Sequence, residues 1–512
     1  MILTIALLYF VILIVGAGLV TRRRIKSSGD FTAAEGTGGM GWIFVTCTFV
    51  LIPLGSGHSM SLWEQASVGG LGTSALLWAL AVAAIFMPVM MLWLGPLARS
   101  TGFKTFPEIT RNMYGRGYGW FHCAVSASSM SGIIAAELIA TGIAISTLSS
   151  NAVPMNPWGI LIATAFTILY VFFGGILQMA WINIVNSIVL IVGSFAALFG
   201  VAIWVTKNFI FGDASGLAAV AAAYTEQGNE ALLSQFSFIN TSGMWFDLII
   251  PVALLHITAL AVSQGHNVPF FAAKSNKHIR KGVYLASGLN AMSAVPWVLI
   301  AVVALVIPQV MNSLAPDEVG KMIVPAAALL MLPKPIIALL MISLLSATLS
   351  TAGSITLGSA QSITQNIIKD ALIPNMTDKQ QLVSIRIFIF VYVIICTIMA
   401  LNLPVIMPVF FWCFTLSMPL FFNYITGMYI AINKAWCYVT LVCGYAVAFI
   451  WTFAGDFVAN NVPYPLDNIT YAVCLASIIP GMIIPAIIGR NNGKDPYLRL
   501  MREARANMKK SS

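Results

Sequence analysis

Hydroxyl side chains are concentrated in one stretch of the chain, residues 345–369, and their spacing suits the binding of a small cation. At the helical spacing of i, i+3 and i+4, the Ala347 carbonyl and the Ser350 and Thr351 hydroxyls lie on one face. Three such oxygens without a formal charge suit a hard monovalent cation, by analogy with the oxygen shells of hard divalent ions. Serine and threonine also serve as packing residues in membrane helices, at about 0.6–2 kcal/mol per contact. The spacing therefore predicts half of a sodium site, which other parts of the chain have to complete.

Three ionisable side chains, His58, Glu137 and His256, lie deep inside apolar segments. Such groups are costly in a bilayer and usually face a partner or a cavity, so they are candidates for substrate binding together with Ser56 and Gly57. Glu137 allows three interpretations: a counter-ion for a cationic substrate, a partner of one of the two histidines, or a solvated group near the outer surface. His256 alone could equally be a structural buried histidine. The three side chains predict a substrate site only if they converge.

The composition is that of a membrane protein, because 59% of the 512 residues are hydrophobic, 8% are charged and the mean hydropathy is +0.90. A membrane-spanning helix needs about 20 apolar residues, and the sequence contains thirteen segments of this kind. They cover residues 2–21, 41–66, 72–97, 118–148, 157–174, 178–206, 244–264, 282–309, 335–367, 384–402, 404–430, 436–455 and 467–489. We therefore predict an all-α polytopic membrane protein with about 13 transmembrane helices and no separate globular domain.

The net charge of +9 reflects the placement of basic residues rather than an acidic partner. Alternate loops between the predicted helices carry nearly all lysines and arginines, whereas the opposite loops carry only Lys207, Lys321 and Lys334. By the positive-inside rule the N-terminus lies outside and the C-terminus in the cytoplasm, which agrees with an odd number of helices. We predict a protein of the cell (plasma or inner) membrane, in contact with the lipid bilayer and without a nucleic-acid partner.

Patterns typical of enzymes and metalloproteins are missing from the sequence. The seven cysteines lie in or beside apolar segments without a metal-binding spacing, and they are expected to behave as small buried hydrophobes. The sequence has no G-x-S-x-G elbow and no H-E-x-x-H pair, and no filter motif of a channel is visible. We expect no enzymatic activity, no organic cofactor and no obligatory protein partner.

Two predicted helices are interrupted. The second contains Pro53, Gly55 and Gly57 near its middle, and the seventh has a softer break further along, at residues 263–267. Proline removes a backbone donor and glycine lets the chain unwind, and unpaired backbone at membrane depth is tolerated only where it lines a cavity or is buried in protein. Transporters with inverted repeats place such helices at matching positions of two halves, with the binding site between them. The interval of five helices therefore predicts two inverted five-helix repeats, with one N-terminal and two C-terminal helices outside them.

Four motifs of the chain resemble those of the sodium:solute symporter family, which includes sodium–proline, sodium–sugar, sialic acid and pantothenate carriers. Each motif alone is weak, but the four occur in the order and spacing of that family over about residues 40 to 430. They are Lys104 to Glu108 with Arg111 (T-x-P-E), Gly174-Gly175 with Ala180 to Asn183 and Asn186 (A-W-T-D-x-x-Q), Phe271 to Ser275 (L-A-A-K-S), and Ala347 to Thr351 followed by Ser362 to Thr364 and Lys369.

The resemblance implies a LeuT-like inverted-repeat fold and assigns the sodium site residue by residue. Ser350 and Thr351 match the sodium-binding hydroxyls of the family, and Ala347 matches its backbone carbonyl. Two further carbonyls in the broken second helix correspond to Leu51 and Leu54. A Na+ ion bound by these five residues is the expected coupling ion.

The resemblance also bears on the substrate site. His58 and His256 align near positions that contact substrate in the family, whereas no family motif supports Glu137. The family's T-D-x-x-Q segment is replaced here by Ile182 to Asn186, which loses a carboxylate and a hydroxyl. Any role of that carboxylate in ion coupling is therefore in question, while the core sodium site does not depend on it.

These observations together predict a sodium-coupled symporter that imports a small polar organic solute by alternating access. A cationic or zwitterionic amine would suit Glu137, and a carboxylate would suit the two histidines and the break in the second helix. A proton-coupled symporter of the same fold and a transporter-like solute sensor are the alternatives. The predicted layout is a single transmembrane transporter domain over 1–512, with an extra N-terminal helix (1–30), a first repeat (40–206), a second repeat (244–430), two extra helices (436–489) and a cytoplasmic tail (490–512).

Overall fold

The computed structural model describes residues 2–52, 55–233, 245–402, 412–488 and 495–501. Most of these residues are helical. The chain begins with α1 (Ile2–Arg22), α2 (Ser28–Ala33), α3 (Trp42–Leu51), α4 (Ser56–Ala66), α5 (Gly72–Ser100), α6 (Phe106–Tyr114), α7 (Arg116–Leu148), α8 (Met155–Phe172) and α9 (Gly175–Asn208).

A short hairpin of β1 (Ile210–Phe211) and β2 (Ala214–Ser215) then precedes α10 (Leu217–Glu226). The second half contains α11 (Trp245–Leu260), α12 (Gln264–Ala272), α13 (Asn276–Leu305), α14 (Pro308–Met311), α15 (Val319–Met331), α16 (Lys334–Leu372) and α17 (Asp378–Asn402). The last helices are α18 (Met418–Tyr429), α19 (Lys434–Phe453), α20 (Gly455–Asn461) and α21 (Ile469–Ile487).

Ten helices in the described part of the chain are long and apolar enough to cross a membrane, or eleven if the bent pair α11 and α12 is one span. These ten correspond to ten of the thirteen predicted segments. The predicted span 41–66 corresponds to α3 and α4, on either side of residues 53–54, which lie outside the described residues. The predicted span 404–430 is described only from residue 412 onward and ends in α18. The count of thirteen and the two-repeat layout stay predictions.

The seventh predicted span, 244–264, ends too early. The structure continues it beyond the break as α12, bent by 59° relative to α11. The polar start of α12 lowers the local hydropathy, but its polar groups are satisfied inside the protein. Asn267 Nδ2 donates to the carbonyls of Leu260 and Ser263, both at 2.7 Å, and these carbonyls lie where the helical hydrogen bonds of α11 end. A polar segment can therefore lie inside the bundle.

Two helices form the centre of the bundle. In the most apolar 18-residue stretch of each helix, 94% of α7 and 89% of α16 is buried inside the protein, compared with 22% of α1. α16 packs along α9 and α7 and crosses α12 closely. The close crossing requires glycine at position 358, because a Cβ there would lie 2.5 Å from the Gly265 backbone. This packing places the Ala347–Thr351 segment of α16 beside the end of α3, where the second helix is interrupted.

The two broken helices are joined at the end of the bundle that carries most of the basic residues. Met40 and Ala273 form an isolated parallel β-bridge, in which the Lys274 N–H donates to the Met40 carbonyl at 2.9 Å. Arg99, at the end of α5, donates to the carbonyls of Phe270 at 3.1 Å and of Ala273. A cation is favourable at the C-terminal end of a helix such as α12. These contacts join the end of α12 to the segment before α3 and to the end of α5.

Candidate functional site

The Thr351 hydroxyl of α16 lies among three carbonyl oxygens. Its Oγ1 is 3.2 Å from the carbonyl oxygen of Leu51, 2.9 Å from that of Ile52, and 3.2 Å from that of Ala347 one turn earlier in α16. A hydroxyl has one proton to donate, so it cannot satisfy three acceptors at once. A cation at this place would be bound by the oxygens that receive no hydrogen bond from this hydroxyl. The structure thus brings three of the predicted sodium residues together and adds Ile52.

Ser350, the second predicted hydroxyl, is fully buried next to this cluster. Its Oγ has no hydrogen-bond partner of good geometry among the described residues, and the Tyr170 hydroxyl is only a weak neighbour. A buried hydroxyl without a partner costs free energy, which favours Ser350 as a ligand for an ion. Leu54 lies outside the described residues. The clustered oxygens are backbone carbonyls and a hydroxyl, which carry no formal charge.

Neutral amides stand where the resemblance would have supplied a carboxylate. Asn183 of α9 accepts a hydrogen bond from the Tyr170 hydroxyl and donates to Thr48 Oγ1 at 3.2 Å. Asn186 accepts a hydrogen bond from the Tyr9 hydroxyl of α1 at 2.9 Å. These bonds connect α1, α3 and α8 to α9 through uncharged groups, so the cluster brings no fixed charge to the neighbourhood of α16.

The structure brings His58 of α4 and His256 of α11 together. Their ring centroids are 6.4 Å apart with the planes at 83°, and both residues are 2% exposed. Trp78 lies 5.2 Å from His58, while Phe86 and Phe414 lie 5.8 and 5.7 Å from His256. Aromatic rings from several elements therefore surround the two imidazoles. Such a setting suits a small ligand with apolar faces and a few polar groups.

The nitrogens of the two imidazoles differ in what they offer a ligand. Neither ring nitrogen of His58 has a hydrogen-bond partner among the described residues, although the ring is buried. His256 Nδ1 lies 2.8 Å from the Val252 carbonyl oxygen. Since a carbonyl can only accept, the neutral His256 ring carries its proton on Nδ1 and leaves Nε2 as an acceptor. A ligand at this site therefore finds one acceptor on His256, and one donor and one acceptor on neutral His58.

Glu137 of α7 is bound to protein groups on both sides. Its Oε2 accepts hydrogen bonds from the Gly57 N–H at 3.2 Å and from the Thr348 hydroxyl at 3.1 Å. Thr141 Oγ1 in turn donates to Thr348 Oγ1 at 2.6 Å. The carboxylate also packs against Gly55, where a Cβ would lie 1.9 Å from Glu137 Oε1. Glu137 thus contacts the start of α4 and the turn of α16 that leads to the oxygen cluster.

These contacts and the burial of Glu137 exclude two of its interpretations: a solvated surface group and a partner of His58. The residue is 2% exposed, so it is not the solvated surface group that was one of the three possibilities. It does not pair with His58, because neither nitrogen of that ring is hydrogen-bonded within the described residues. Of the other predicted substrate residues, Gly57 offers its N–H to Glu137, and the backbone of Ser56 begins α4.

Several residues of the site were not singled out from the sequence. They are Thr348 and Thr141 beside Glu137, the aromatic residues Trp78, Phe86 and Phe414, and Ile52 at the end of α3. Two of them left a signal. Thr348 belongs to the hydroxyl-rich stretch 345–369, and Thr141 follows Glu137 by four residues and must share its helix face. Trp78 and Phe86 left none. Phe414 belongs to an aromatic cluster at 410–414, whose interpretation from the sequence alone is packing or a gating ring, since aromatic side chains in apolar helices are most often packing residues.

Comparisons with known proteins agree with this geometry. A profile of the sodium:solute symporter family matches residues 34–419, and no curated protein matches the chain. The structure resembles that of a Na+-coupled sialic acid symporter in a substrate-bound outward-open state, with a TM-score of 0.78 at 16% identity over 96% of this chain and 99% of that one. It also resembles a nucleobase-cation-symport-1 family transporter in a closed conformation with bromovinylhydantoin bound, with a TM-score of 0.57 at 13% identity over 94% of this chain and 96% of that one.

The family match and the apolar helices identify a multi-pass membrane transporter rather than an enzyme. The family match covers well over half of the chain, and the structural likeness extends over nearly all of it. The chain belongs to the sodium:solute symporter family.

Proposed function

We propose that this protein is a sodium-coupled symporter that imports a small polar organic solute by alternating access. The observation that most supports this proposal is the cluster of neutral oxygens around Thr351, which joins the C-terminal end of α3 to α16. The family match and the likeness to a Na+-coupled symporter support sodium as the coupling ion. The proposed orientation places the N-terminus outside and the C-terminus in the cytoplasm of the cell membrane.

Five residues form the proposed sodium site: Leu51, Leu54, Ala347, Ser350 and Thr351. A sodium ion bound there would join the carbonyls at the end of α3 to the hydroxyls of α16 and favour one arrangement of these helices. Loss of the ion to a sodium-poor cytoplasm would loosen that connection and release the solute. Because binding is linked, sodium and solute must strengthen each other's binding by the same factor.

The proposed solute site lies beside the paired rings of His58 and His256, with the backbone of Ser56 and Gly57 at its edge. The acceptor on His256 Nε2 calls for a solute with an N–H or O–H donor, and the aromatic residues around the imidazoles favour one with apolar faces. Glu137 already accepts two hydrogen bonds from the protein, so a positive charge on the solute is not required to satisfy it.

The sodium site is tested by replacing Ser350→Ala and Thr351→Ala in one variant. Sodium at 100 times its Kd stabilises the folded protein by about 2.7 kcal/mol, so the melting temperature of the purified protein should be higher in NaCl than in KCl. The double variant should lose this difference while staying folded in the membrane. Thr356→Ala is the matched control, because it removes another fully buried α16 hydroxyl without a partner among the described residues. An unchanged sodium effect in the double variant would exclude these residues as the site.

A proton-coupled symporter of the same fold is the second candidate. The observation that favours it is the presence of three buried histidines, His58, His256 and His266. The ring centroids of His58 and His256 are 6.4 Å apart, and His266 Nδ1 lies 3.0 Å from Ser263 Oγ. The same melting experiment distinguishes the candidates. Stabilisation that depends on pH and is equal in NaCl and KCl would favour protons.

A further inference from the structure

We propose that Glu137 is a positioning residue that couples the two binding sites to each other. This coupling rests on the proposed function, because it concerns how a sodium ion near Ser350 and Thr351 affects a solute near His58. Its basis is that one carboxylate oxygen is hydrogen-bonded both to the first turn of α4 and to Thr348 of α16.

On the α4 side, Glu137 acts as a helix cap supplied by another helix. The first N–H groups of a helix have no intrahelical acceptor, and a side chain at the N-cap position usually supplies one. The N-cap residue of α4 is Gly55, which has no side chain and forms no side-chain cap. Glu137 Oε2 accepts from the Gly57 N–H instead, and a negative charge is favourable at this end of a helix. The orientation of α4, and with it the position of His58, therefore depends on Glu137.

On the α16 side, the contact is a directed chain of hydrogen bonds. Thr141 Oγ1 donates to Thr348 Oγ1 at 2.6 Å, and the Thr348 hydroxyl donates to Glu137 Oε2 at 3.1 Å. Thr348 follows Ala347, whose carbonyl is part of the oxygen cluster, and precedes Thr351 by three residues. A shift of this turn of α16 towards α3 would move the donor that holds the carboxylate.

The burial of Glu137 makes these hydrogen bonds strong enough to transmit a displacement. The residue is 2% exposed, and a buried carboxylate that loses a donor is left with an uncompensated desolvation cost. The carboxylate must therefore follow both of its donors. Sodium that draws α16 to α3 would stabilise the first turn of α4, and a solute bound to α4 would stabilise the sodium site by the same factor.

Hydrogen–deuterium exchange of the full-length protein tests the coupling with Na+ alone as the ligand. In the wild type we expect NaCl, compared with KCl, to slow exchange of the α4 amides by about 5-fold or more, the low end of ordinary coupling factors. Glu137→Gln has nearly the same shape, but its amide group offers one acceptor atom and no charge. In this variant the slowing should fall below about 2-fold, while NaCl still raises the melting temperature.

A second variant and a control keep the outcome decisive. Thr348→Val removes the donor from α16 but leaves the Gly57 contact, and should also abolish the sodium effect on α4. Thr356→Val makes the same replacement at another buried α16 hydroxyl and should keep the effect. Protection of α4 by sodium that is as large in Glu137→Gln and Thr348→Val as in the wild type would overturn the coupling. A wild type whose melting temperature does not respond to sodium would overturn the sodium site itself, and the coupling with it.

Discussion

At the scale of single residues, the contact between Gly55 and Glu137 leaves no space for a side chain. A Cβ at position 55 would lie 1.9 Å from Glu137 Oε1, so Gly55→Ala must displace the carboxylate or the start of α4. Overpacking of this kind costs about 1–3 kcal/mol. We expect Gly55→Ala to lower the melting temperature of the purified protein.

The control for this prediction is a helical glycine with open space around it. Gly288 of α13 has no atom within 4 Å of a built Cβ, and alanine is better than glycine inside a helix by about 0.5–1 kcal/mol. Gly288→Ala should therefore keep or raise the melting temperature. Equal stability of Gly55→Ala and Gly288→Ala would contradict the contact with Glu137.

The residues of the candidate site were predictable where the helical repeat alone places them next to each other. Ala347, Ser350 and Thr351 share a helix face whatever the rest of the chain does, and the structure places Thr351 at the end of α3. The nearest carbonyl to Thr351 is that of Ile52, which was not predicted. Which carbonyl of an interrupted helix approaches another helix depends on how the two helices pack, and no local pattern contains that information.

At the scale of elements, Asn267 holds the break between α11 and α12. Its Nδ2 donates to the carbonyls of Leu260 and Ser263 at 2.7 Å and to that of Ala261 at 3.3 Å. Asn267→Leu keeps the approximate size but removes this donor from the Leu260 and Ala261 carbonyls, at about 1–3 kcal/mol for each buried unsatisfied group. The Ser263 carbonyl keeps the backbone N–H of residue 267 at 3.3 Å. We expect a marked decrease of the melting temperature and faster exchange of the amides of α12.

Asn290→Leu is the comparison for Asn267→Leu. Asn290 is also fully buried, but its Nδ2 makes a single long hydrogen bond, to the Val50 carbonyl at 3.4 Å. The replacement should therefore destabilise the protein less. If the two variants are equally stable, Asn267 does not hold the helix break.

The broken helices were predictable as elements, although their lengths were not. Proline and glycine disturb a helix through their own geometry, so Pro53 and Gly55 indicate a break without any knowledge of the fold. The interruption predicted at residues 263–267 is present between α11 and α12, but the predicted bounds 244–264 left out α12, because the polar residue Gln264 indicates the end of a helix. Its partners are distant in sequence: the Phe106 N–H donates to Gln264 Oε1 at 3.1 Å, and Gln264 Nε2 donates to the Lys104 carbonyl at 3.0 Å.

At the scale of the whole molecule, Arg99 links the end of α5 to the end of α12. Its guanidinium donates to carbonyls at the end of α12, including that of Phe270 at 3.1 Å. Hydrogen bonds from a charged group contribute about 1.5–3 kcal/mol, which corresponds to about 10–100-fold in an equilibrium constant. Arg99→Gln should therefore accelerate amide exchange around Met40 and Lys274, where the two broken helices meet.

Arg116→Gln serves as the control for Arg99→Gln. Arg116 lies at the same end of the molecule, but its side chain is 70% exposed and its nearest carboxylate, Asp370, is 4.0 Å away. Removal of this charge should leave the exchange at Met40 and Lys274 unchanged. Equal exchange in both variants would show that Arg99 does not stabilise the contact between Met40 and Lys274. The basic character of this end was predictable from the loops. The hydrogen bonds that join Met40 to the end of α12 are formed by backbone groups and leave no sequence pattern.

The neutral character of the oxygens around Thr351 has an electrical consequence. Carbonyl and hydroxyl ligands do not titrate, so a sodium ion that binds to them displaces no proton and brings its full charge. Each imported ion then carries a charge across the membrane, unless the solute brings an opposite one. An inside-negative potential of 100 mV contributes about 2.3 kcal/mol per charge. Uptake of a neutral solute would thus be driven by voltage as well as by the sodium gradient, and would generate a measurable inward current.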